Sequence, residues 1–378
     1  MMAEQRADNL DEEWPRFWAS ASGFWRGPNA WRMWLLVAVL VGIVVAQLYV
    51  QFRFNYWNRD FFDGLQQRNP GLLQAQAMLL IPLAAASIAL EIASVWGHMT
   101  VQRCWRAWLT KHVIDYWSEE RRYARLAQVQ GEHQIPEYRI AQDVRVATDA
   151  PIDFALGLIL SLLKAIVFVQ VLWEVGGEIS FTALGHHVWI PGYLVVSVVV
   201  YSGIVTTAML LVGSPLMRVI KLKDQREAEL ITAAHRLRDI GEGVTPDVTE
   251  AAVKRDLRDA LRNIIDQWRR LCLQLMSTTL VSHGNILLAP IIGLVLCSPK
   301  FLAGTITLGE LTQAAAAFTL VQGSFNWLVD NFGPVSGWVS AGDRVGGLLL
   351  SLDRLNHTEH HAEVTKTKSP QPSITTLP

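Results

Sequence analysis

Two apolar runs separated by a long polar stretch most constrain what this chain can fold into. The runs cover residues 189–213 and about 275–297, and each has the roughly 20 mostly apolar residues needed to cross a hydrocarbon core about 30 Å thick. Between them, residues 214–274 carry 12 of the 33 lysines and arginines, and their apolar residues recur at helical spacing. Glycine and proline mark a break at residues 241–246. The pattern predicts two long helices that leave a membrane, turn and re-enter it.

Further apolar segments in this chain, which is 51% hydrophobic, complete a predicted set of six spans. The spans lie at about residues 33–50, 78–100, 150–175, 189–213, 275–297 and 308–332. The connecting segments then alternate between two sides, and the side that carries both termini holds 28 lysines and arginines against 4 on the other. Because positive charge is enriched on the cytosolic side, we expect an inner-membrane protein with both termini in the cytosol.

The segments outside the spans predict three domains. Residues 14–34 interleave tryptophan and phenylalanine with arginine, which favours the headgroup layer. We therefore expect residues 1–32 to form a cytosolic N-terminus with an interfacial elbow helix, or else a leader whose aromatics pack on the bundle. Residues 33–340 form the transmembrane domain. Residues 341–378 form a cytosolic C-terminal helix to about Asn356 and a disordered tail.

Four sequence stretches resemble motifs of the SbmA/BacA-like transporter family. They are residues 55–66 (NYWNRDFFDGLQ), 103–110 (RCWRAWLT), 303–313 (AGTITLGELTQ) and 325–332 (FNWLVDNF). Further matches in the first polar arm are Pro136, Arg139, Ile140, Asp143 and Val144. The resemblance implies an all-α membrane protein, an ABC type-I-exporter-like transmembrane domain with six spans, an elbow helix and long cytosolic helical arms.

The resembled family has two branches, which differ in how transport is driven. One branch fuses the membrane domain to an ATP-binding cassette, and the other resembles proton-driven importers of peptides. This sequence has no G-x-x-x-x-G-K-[ST] phosphate loop, so we expect a transporter rather than an enzyme, driven by protons and taking up peptides or peptide-like compounds. The first-arm motif is nearer the cassette-fused branch, which leaves a separately encoded ATPase subunit as the alternative.

Ionisable residues in or near the spans are the candidates for proton coupling, because charge in the hydrocarbon core is costly and usually functional. Glu91 is centred in the second span and Lys164 in the third. The two are a candidate ion pair, which would either carry protons or only fix helix register. Glu174 and Glu178 lie at the external end of the third span, where protons would enter.

The second polar arm supplies two more acidic candidates. Residues 223–229 (KDQREAE) resemble a family stretch in which an acidic residue belongs to a series of coupling glutamates. Glu227 is the matching position, and Glu242 is similar to the next member of the series. The alternative for both is a solvated charged helix face.

An aromatic, mixed-charge element after the first span is the candidate substrate path. Its charged and aromatic members, together with one acidic residue before the sixth span, are Tyr56, Trp57, Arg59, Asp60, Asp63 and Glu310. These side chains would guide a peptide into the cavity, or would anchor the helix at the interface.

The partners expected from the sequence are membrane lipid, a peptide-like substrate and a second copy of the chain. Six spans do not enclose the two-winged cavity of the resembled architecture, whereas a homodimer provides twelve and works by alternating access. The net charge of −1 argues against nucleic acid as a partner. No metal or cofactor is expected, because the three cysteines lack ligand spacing.

Overall fold

The computed structural model describes residues 13–28, 30–126, 136–183, 186–242 and 250–367. A helix over residues 13–21, α1, is followed by a 3₁₀ turn at Ser22–Trp25. The other helices are α2 (Ala30–Gln66), α3 (Pro70–Ser118), α4 (Arg122–Arg125), α5 (Pro136–Tyr138), α6 (Val144–Gly176), α7 (Tyr193–Gly213), α8 (Leu216–Gly241), α9 (Glu250–Leu302), α10 (Leu308–Asp330) and α11 (Phe332–Thr367). A 3₁₀ turn at Glu119–Arg121 precedes α4, and a π-helical turn at Arg139–Asp143 joins α5 to α6.

The helical membrane fold predicted from the sequence is confirmed. Five described helical segments are long and apolar enough to cross a membrane: Ala30–Gln66, Pro70–Arg125, Pro136–Gly176, Tyr193–Gly241 and Glu250–Leu302. They contain the first five predicted spans. The helix α10 occupies the position of the sixth, and its crossing of the membrane stays a prediction.

Several helices begin or end at residues other than the limits predicted for the spans. Residues 186–191 form a strand, β2 (His186–Pro191), which pairs antiparallel with β1 (Glu178–Ala183). The fourth span therefore begins at Tyr193 rather than at residue 189. A turn at Asn331 ends α10 two residues before the predicted limit. The apolar run of the first span ends at residue 50, whereas the helix α2 continues to Gln66.

The C-terminal helix was also predicted too short. We expected it to end near Asn356, and α11 instead continues to Thr367. Residues 368–378, the remainder of the predicted tail, lie outside the described part of the chain. Charged and polar residues beyond Asn356 carry no apolar periodicity, so the pattern gave no sign that the helix continues.

The helices divide into two compact units. The first unit takes its described residues from Met1–Arg53, Leu79–Leu163 and Asp330–Pro378. Its core includes buried residues of α3 at four-residue intervals: Val101, Trp105, Leu109 and Val113. Buried residues of α11 alternate between intervals of three and four: Ala341, Val345, Leu348, Leu352 and Leu355. Both spacings keep one helix face apolar.

The helix α1 belongs to the core of the first unit. Its side chains Phe17 and Ala21 are fully buried, and Trp14 and Trp18 pack against the same cluster. A helix therefore lies where the elbow helix was predicted, and its aromatics pack on the bundle as in the alternative. Its depth in the headgroup layer stays a prediction.

The second unit, Phe54–Met78 and Lys164–Val329, is held together by small residues and by a pair of long helices. At Gly293 of α9, an added Cβ would lie 2.9 Å from the Cα of Ala315 on α10, so glycine allows a close helix contact. The helix α8 packs against α9, and the Gln267 side-chain amide donates to the Val219 carbonyl at 3.1 Å.

Candidate functional site

Two of the family-like stretches meet where α2 ends and α10 begins. The Asp63 carboxylate accepts a hydrogen bond from the Gly309 backbone N–H at 2.8 Å. The Gln66 side-chain oxygen accepts one from the Leu308 N–H at 2.9 Å. Because the first N–H groups of a helix have no partner within the helix, these two side chains cap the start of α10.

The start of α10 is also fixed by a capping box and a glycine. The Glu310 carboxylate accepts from the Thr307 N–H at 3.0 Å, and the Thr307 hydroxyl accepts from the Glu310 N–H at 3.1 Å. A Cβ on Gly309 would lie 2.1 Å from the Arg59 carbonyl oxygen. Two predicted substrate-path residues, Asp63 and Glu310, therefore already have structural partners at this helix start.

The remaining substrate-path candidates lie along α2 and contact neighbouring groups. The Arg59 guanidinium lies 4.9 Å from the centre of the Tyr56 ring and 3.3 Å from the Asp60 carboxylate. The Trp57 indole N–H donates to the Gln76 carbonyl at 2.8 Å. These contacts fit an anchored helix end, the alternative that the sequence left open. Contact with a substrate stays a prediction.

Polar residues of the predicted spans pair with one another in the first unit. Gln47 of α2 donates to the Glu91 carboxylate of α3 at 2.9 Å. The Gln102 amide donates to the Asp153 carboxylate of α6 at 2.8 Å, and the His98 Nε2 lies 3.9 Å from the same carboxylate. The sequence indicated Glu91, but it could not identify Gln47 as its neighbour, because side-chain pairing between helices depends on their rotation.

The His98 ring has its two nitrogens in different surroundings. Its Nδ1 lies 2.9 Å from the Ser94 carbonyl oxygen, which can only accept, so Nδ1 carries hydrogen. The Nε2 faces the Asp153 carboxylate. The ring therefore lies between the Ser94 carbonyl of its own helix and a carboxylate of α6.

The other predicted proton-coupling residues of the third span lie in the second unit. The Glu174 carboxylate accepts from the Gln170 amide at 3.1 Å, and Glu178 begins the β1 strand. Lys164 belongs to the second unit, whereas Glu91 belongs to the first. The proposed Glu91–Lys164 ion pair stays a prediction. Lys300 of α9 donates to the carbonyl of Gly176, the last residue of α6.

The two acidic candidates of the α8 arm form ion pairs within their own helix. Glu227 lies 3.3 Å from the Lys223 ammonium one turn earlier, with 42% of its side chain exposed. Lys223 also lies 5.5 Å from the centre of the Trp268 ring on α9. Glu242 lies 3.5 Å from Arg238, again one turn away. Both pairs are typical of a solvated helix face, and coupling by either glutamate stays a prediction.

A buried ion pair that sequence reasoning missed joins the π-helical turn to α11. The Asp143 side chain is only 3% exposed. It accepts from Arg344 Nε at 2.9 Å and from Arg344 Nη2 at 2.6 Å, and Arg139 donates to the Arg344 carbonyl at 3.1 Å. Hydrogen bonding to Asp143 raises the pKa of Arg344. Arg139 and Asp143 were quoted as motif residues, but nothing in the pattern pointed to a partner about 200 positions later.

A second missed cluster ties α1 and α3 to α11. Arg16 donates to the Asp353 carboxylate at 2.5 Å and 3.1 Å, and the Tyr116 hydroxyl donates to the same carboxylate. Burial and then the nearby carboxylate raise the pKa of Tyr116, so its hydroxyl stays protonated and donating. We call Asp143, Arg344, Arg16, Asp353 and Tyr116 together the α11 latch.

These features define a class of protein before any comparison. Apolar helices of membrane length continue beyond their apolar segments as polar arms, and ion pairs, one of them with a buried carboxylate, join helices of the first unit. This combination defines a multi-pass helical membrane protein with long aqueous extensions.

The family follows from a direct comparison. The sequence profile described as ABC transporter transmembrane region 2 matches residues 27–302, and the chain belongs to this family. The resemblance to the SbmA/BacA-like transporter family is thereby confirmed, as is a multi-pass membrane transporter as the general class.

Curated relatives are similar along most of the chain. The chain is 26% identical over 353 residues to the Inner membrane ABC transporter ATP-binding protein YddA of Escherichia coli (strain K12), covering 92% of this chain and 61% of that protein. It is 21% identical over 341 residues to ABC transporter D family member 2, chloroplastic, of Arabidopsis thaliana, covering 90% and 46%. An uncharacterized ABC transporter ATP-binding protein of Haemophilus influenzae shares 21% over 353 residues, covering 92% and 58%. The chain thus spans less than two thirds of the length of each.

Proposed function

We propose that this chain forms the transmembrane pathway of a transporter that is driven by an ATP-binding domain. The printed names of YddA and of the Haemophilus influenzae relative describe ATP-binding proteins of ABC transporters, and the family is a transmembrane region of such transporters. This was the alternative in the sequence-based reading, and the relatives now favour it over proton coupling.

The length of the α8–α9 arm is the observation that carries this proposal. The helix α9 has 53 residues, which at 1.5 Å per residue is about 80 Å. The predicted span needs only residues 275–297, so residues 250–274 extend about 37 Å beyond it. A helix pair of this length can connect membrane spans to a soluble domain that hydrolyses ATP.

The arm is built to move as one piece. Buried residues line the contact between its helices: Ala233, Val253, Ile264 and Leu271. Side-chain amides of α9 also reach backbone carbonyls of the preceding helices, Gln267 to Val219 and Gln274 to Val212. Since a buried polar group that loses its partner is costly, sliding of α9 along its neighbours is disfavoured. Displacement at the arm tip would then reach the spans.

A pair of matched charge reversals tests docking at the arm tip. Arg238 lies near the tip and Arg218 near the root of α8, and both are exposed. The tagged chain is purified in mild detergent from its native membranes, and ATP-binding cassette proteins that co-purify at a fixed ratio are quantified with their ATPase activity. We expect Arg238→Glu to lower the amount of cassette protein and its ATPase activity by about tenfold, because the new glutamate would repel an acidic surface on the partner. Arg218→Glu should leave both unchanged.

Two results would contradict this proposal. One is the absence of any cassette protein at a fixed ratio in the wild-type preparation. The other is equal loss for both variants, which would indicate a general effect of charge rather than docking at the tip.

We further propose that the working form is a homodimer in the inner membrane. The support is the family resemblance together with the six predicted spans, which do not enclose a two-winged cavity. Native mass spectrometry in mild detergent should give twice 42.3 kDa plus bound lipid and any partner. Transport by liposomes in which every particle holds a single copy would contradict it.

Proton-driven uptake of peptides or peptide-like compounds is the second candidate function. The observation in its favour is the His98–Asp153 pair, in which the ring Nε2 lies 3.9 Å from the carboxylate of another helix. Glu91 and Glu227 are the acidic candidates. In this mechanism, liposomes that contain only this chain take up a labelled peptide when a proton gradient is imposed, and a protonophore abolishes the uptake.

Conservative variants distinguish the two candidates. Under proton coupling, His98→Gln, Glu91→Gln and Glu227→Gln each abolish gradient-driven uptake, because glutamine keeps a similar shape but does not titrate. His235→Gln on the exposed face of α8 is the matched control and keeps full uptake. Uptake that needs ATP and a cassette protein, and ignores the gradient, rejects proton coupling.

A further inference from the structure

We propose that the first unit holds the acyl chain of a membrane phospholipid in an apolar cavity beside α1. The cavity has a volume of about 380 Å³. It is formed by α1, the turn that follows α1, and parts of α2, α3 and α6, all within one compact unit. Four of its walls are indole rings, those of Trp18, Trp25, Trp34 and Trp105.

Two of the lining tryptophans have their N–H groups engaged by backbone carbonyls. The Trp34 indole N–H donates to the Trp25 carbonyl, and the Trp105 indole N–H donates to the Ala21 carbonyl, both at 3.3 Å. All other lining residues are aliphatic, including the deeply buried Leu40 and Val101. A cavity with such walls offers water no hydrogen-bond partners, so it stays dry or takes an apolar guest.

The size and opening of the cavity fit a hydrocarbon chain. A water molecule in the liquid occupies about 30 Å³ and a methylene group is of similar size, so the cavity holds roughly a dozen methylenes. Trp34 is 57% exposed and lies on a face of α2 with exposed Trp31 and Leu35. These residues begin the first predicted span, where the acyl chains of one leaflet start. The cavity therefore opens toward lipid.

Exposed arginines that are near the lining tryptophans in sequence favour a phospholipid over an apolar segment of a peptide. They are Arg26, Arg32, Arg103 and Arg106, none of which lines the cavity itself. Arginine side chains bind phosphate well, and basic residues at a membrane boundary attract lipid phosphates. In this proposal the acyl chain enters the cavity and the phosphate stays outside it at the membrane boundary, where these arginines are expected.

Photo-crosslinking of a lipid in nanodiscs tests the proposal. The full chain is reconstituted with a phospholipid that carries a diazirine at mid-chain, washed in detergent to remove loosely bound lipid, irradiated and digested. We expect retained adducts at a ratio near one per chain, on peptides containing Trp25, Trp34 or Leu156. Adducts spread evenly over all spans, or detergent alone in the cavity, would overturn the proposal. This result needs only the wild-type protein.

A cavity-filling variant and its control sharpen this test. Ala155 lines the cavity and is exposed at its mouth, whereas Ala89 is an exposed alanine of α3 that does not line it. We expect Ala155→Phe to lower retained adducts about tenfold, which corresponds to loss of burial for about two methylene groups. Ala89→Phe should retain wild-type adducts. Equal adducts in wild type and Ala155→Phe would contradict the assignment.

Discussion

Two charged regions beyond the spans, the α11 latch and the outer face of α8, differ in how their ion pairs are made. In the latch, Asp143 is 3% exposed and its partner Arg344 comes from a helix some 200 residues away. On α8, Glu227 and Glu242 pair with residues one turn away in the same helix and remain largely exposed. The latch pairs depend on the tertiary fold, whereas the α8 pairs need only a helix.

This difference separates charges that hold the fold from charges that are available to partners. A buried carboxylate that loses its partner costs several kcal/mol, while exposed pairs contribute about 0–1 kcal/mol. We therefore expect the α11 latch to hold α1, α3 and α11 together. We expect the isolated protein to tolerate substitution on the α8 face. Any effect of these residues would then be on binding or coupling rather than on stability.

The largest effect is expected at Asp143. Asp143→Asn keeps the side-chain shape but removes the charge that two Arg344 nitrogens contact. We expect a loss of about 2–3 kcal/mol in the free energy of unfolding, below the full value for a buried pair because Arg344 is partly exposed. Thermal unfolding in detergent measures it. A midpoint equal to that of the wild type would show that the latch does not hold the fold.

Asp353 should give the next largest effect. Asp353→Asn weakens the contact with Arg16 and the hydrogen bond from Tyr116, for an expected loss of about 1–2 kcal/mol. Tyr116→Phe removes the hydroxyl alone and should cost about 1 kcal/mol. Hydrogen exchange of the α1 amides provides the second readout. Both variants should speed exchange in α1. Unchanged exchange would show that Asp353 does not anchor α1.

On the α8 face, Glu227→Gln should change the free energy of unfolding by less than about 0.5 kcal/mol. Lys223 keeps a second carboxylate partner, Asp224, at 3.3 Å, so the local charge stays balanced. The same thermal scan applies. A loss comparable to that of Asp143→Asn would contradict the contrast between the two regions.

The smallest effect concerns pH and Asp343, which precedes Arg344. Burial raises the pKa of Asp343, and Arg344 partly opposes this shift. An acid with a raised folded-state pKa ionises more easily when unfolded, so it lowers stability as pH rises from its unfolded pKa through its folded pKa. Asp343→Asn should therefore stabilise the protein slightly at pH 7, by less than about 0.5 kcal/mol, and leave it unchanged at pH 3. A stabilisation that grows toward low pH would have the wrong sign.

The sequence predicted the elements of this fold better than their ends. Apolar run length indicated five of the candidate spans because each run must match the hydrocarbon thickness, and helical periodicity indicated the arms. The sequence analysis missed the paired strands β1 and β2, since a short apolar stretch beside a span has no distinguishing period. The sequence analysis also missed the continuation of α2 to Gln66, which hydropathy alone does not predict.

The candidate site was less predictable, because its side chains act across long sequence separations. Charge cost in the spans indicated Glu91 and suggested Lys164 as its partner. The neighbour in the structure is Gln47, which depends on helix rotation. Asp63 and Glu310 were predicted for a substrate path, and the structure also engages them at the start of α10. The Thr307–Glu310 spacing is a capping box that can be recognised from the sequence alone. The Asp143–Arg344 pair could not be predicted from the sequence.

A distance measurement between arm tips tests whether ATP binding, rather than a proton gradient, moves the arms. Spin labels at Arg258→Cys on α9, in a background without the three native cysteines, report the separation between the two copies of a dimer. With a cassette protein present, we predict that ATP and vanadate shift this distance and that a change from about pH 7.5 to about pH 5.5 does not. A shift produced by the pH change in the chain alone, with no response to ATP, would contradict ATP-driven movement of the arms.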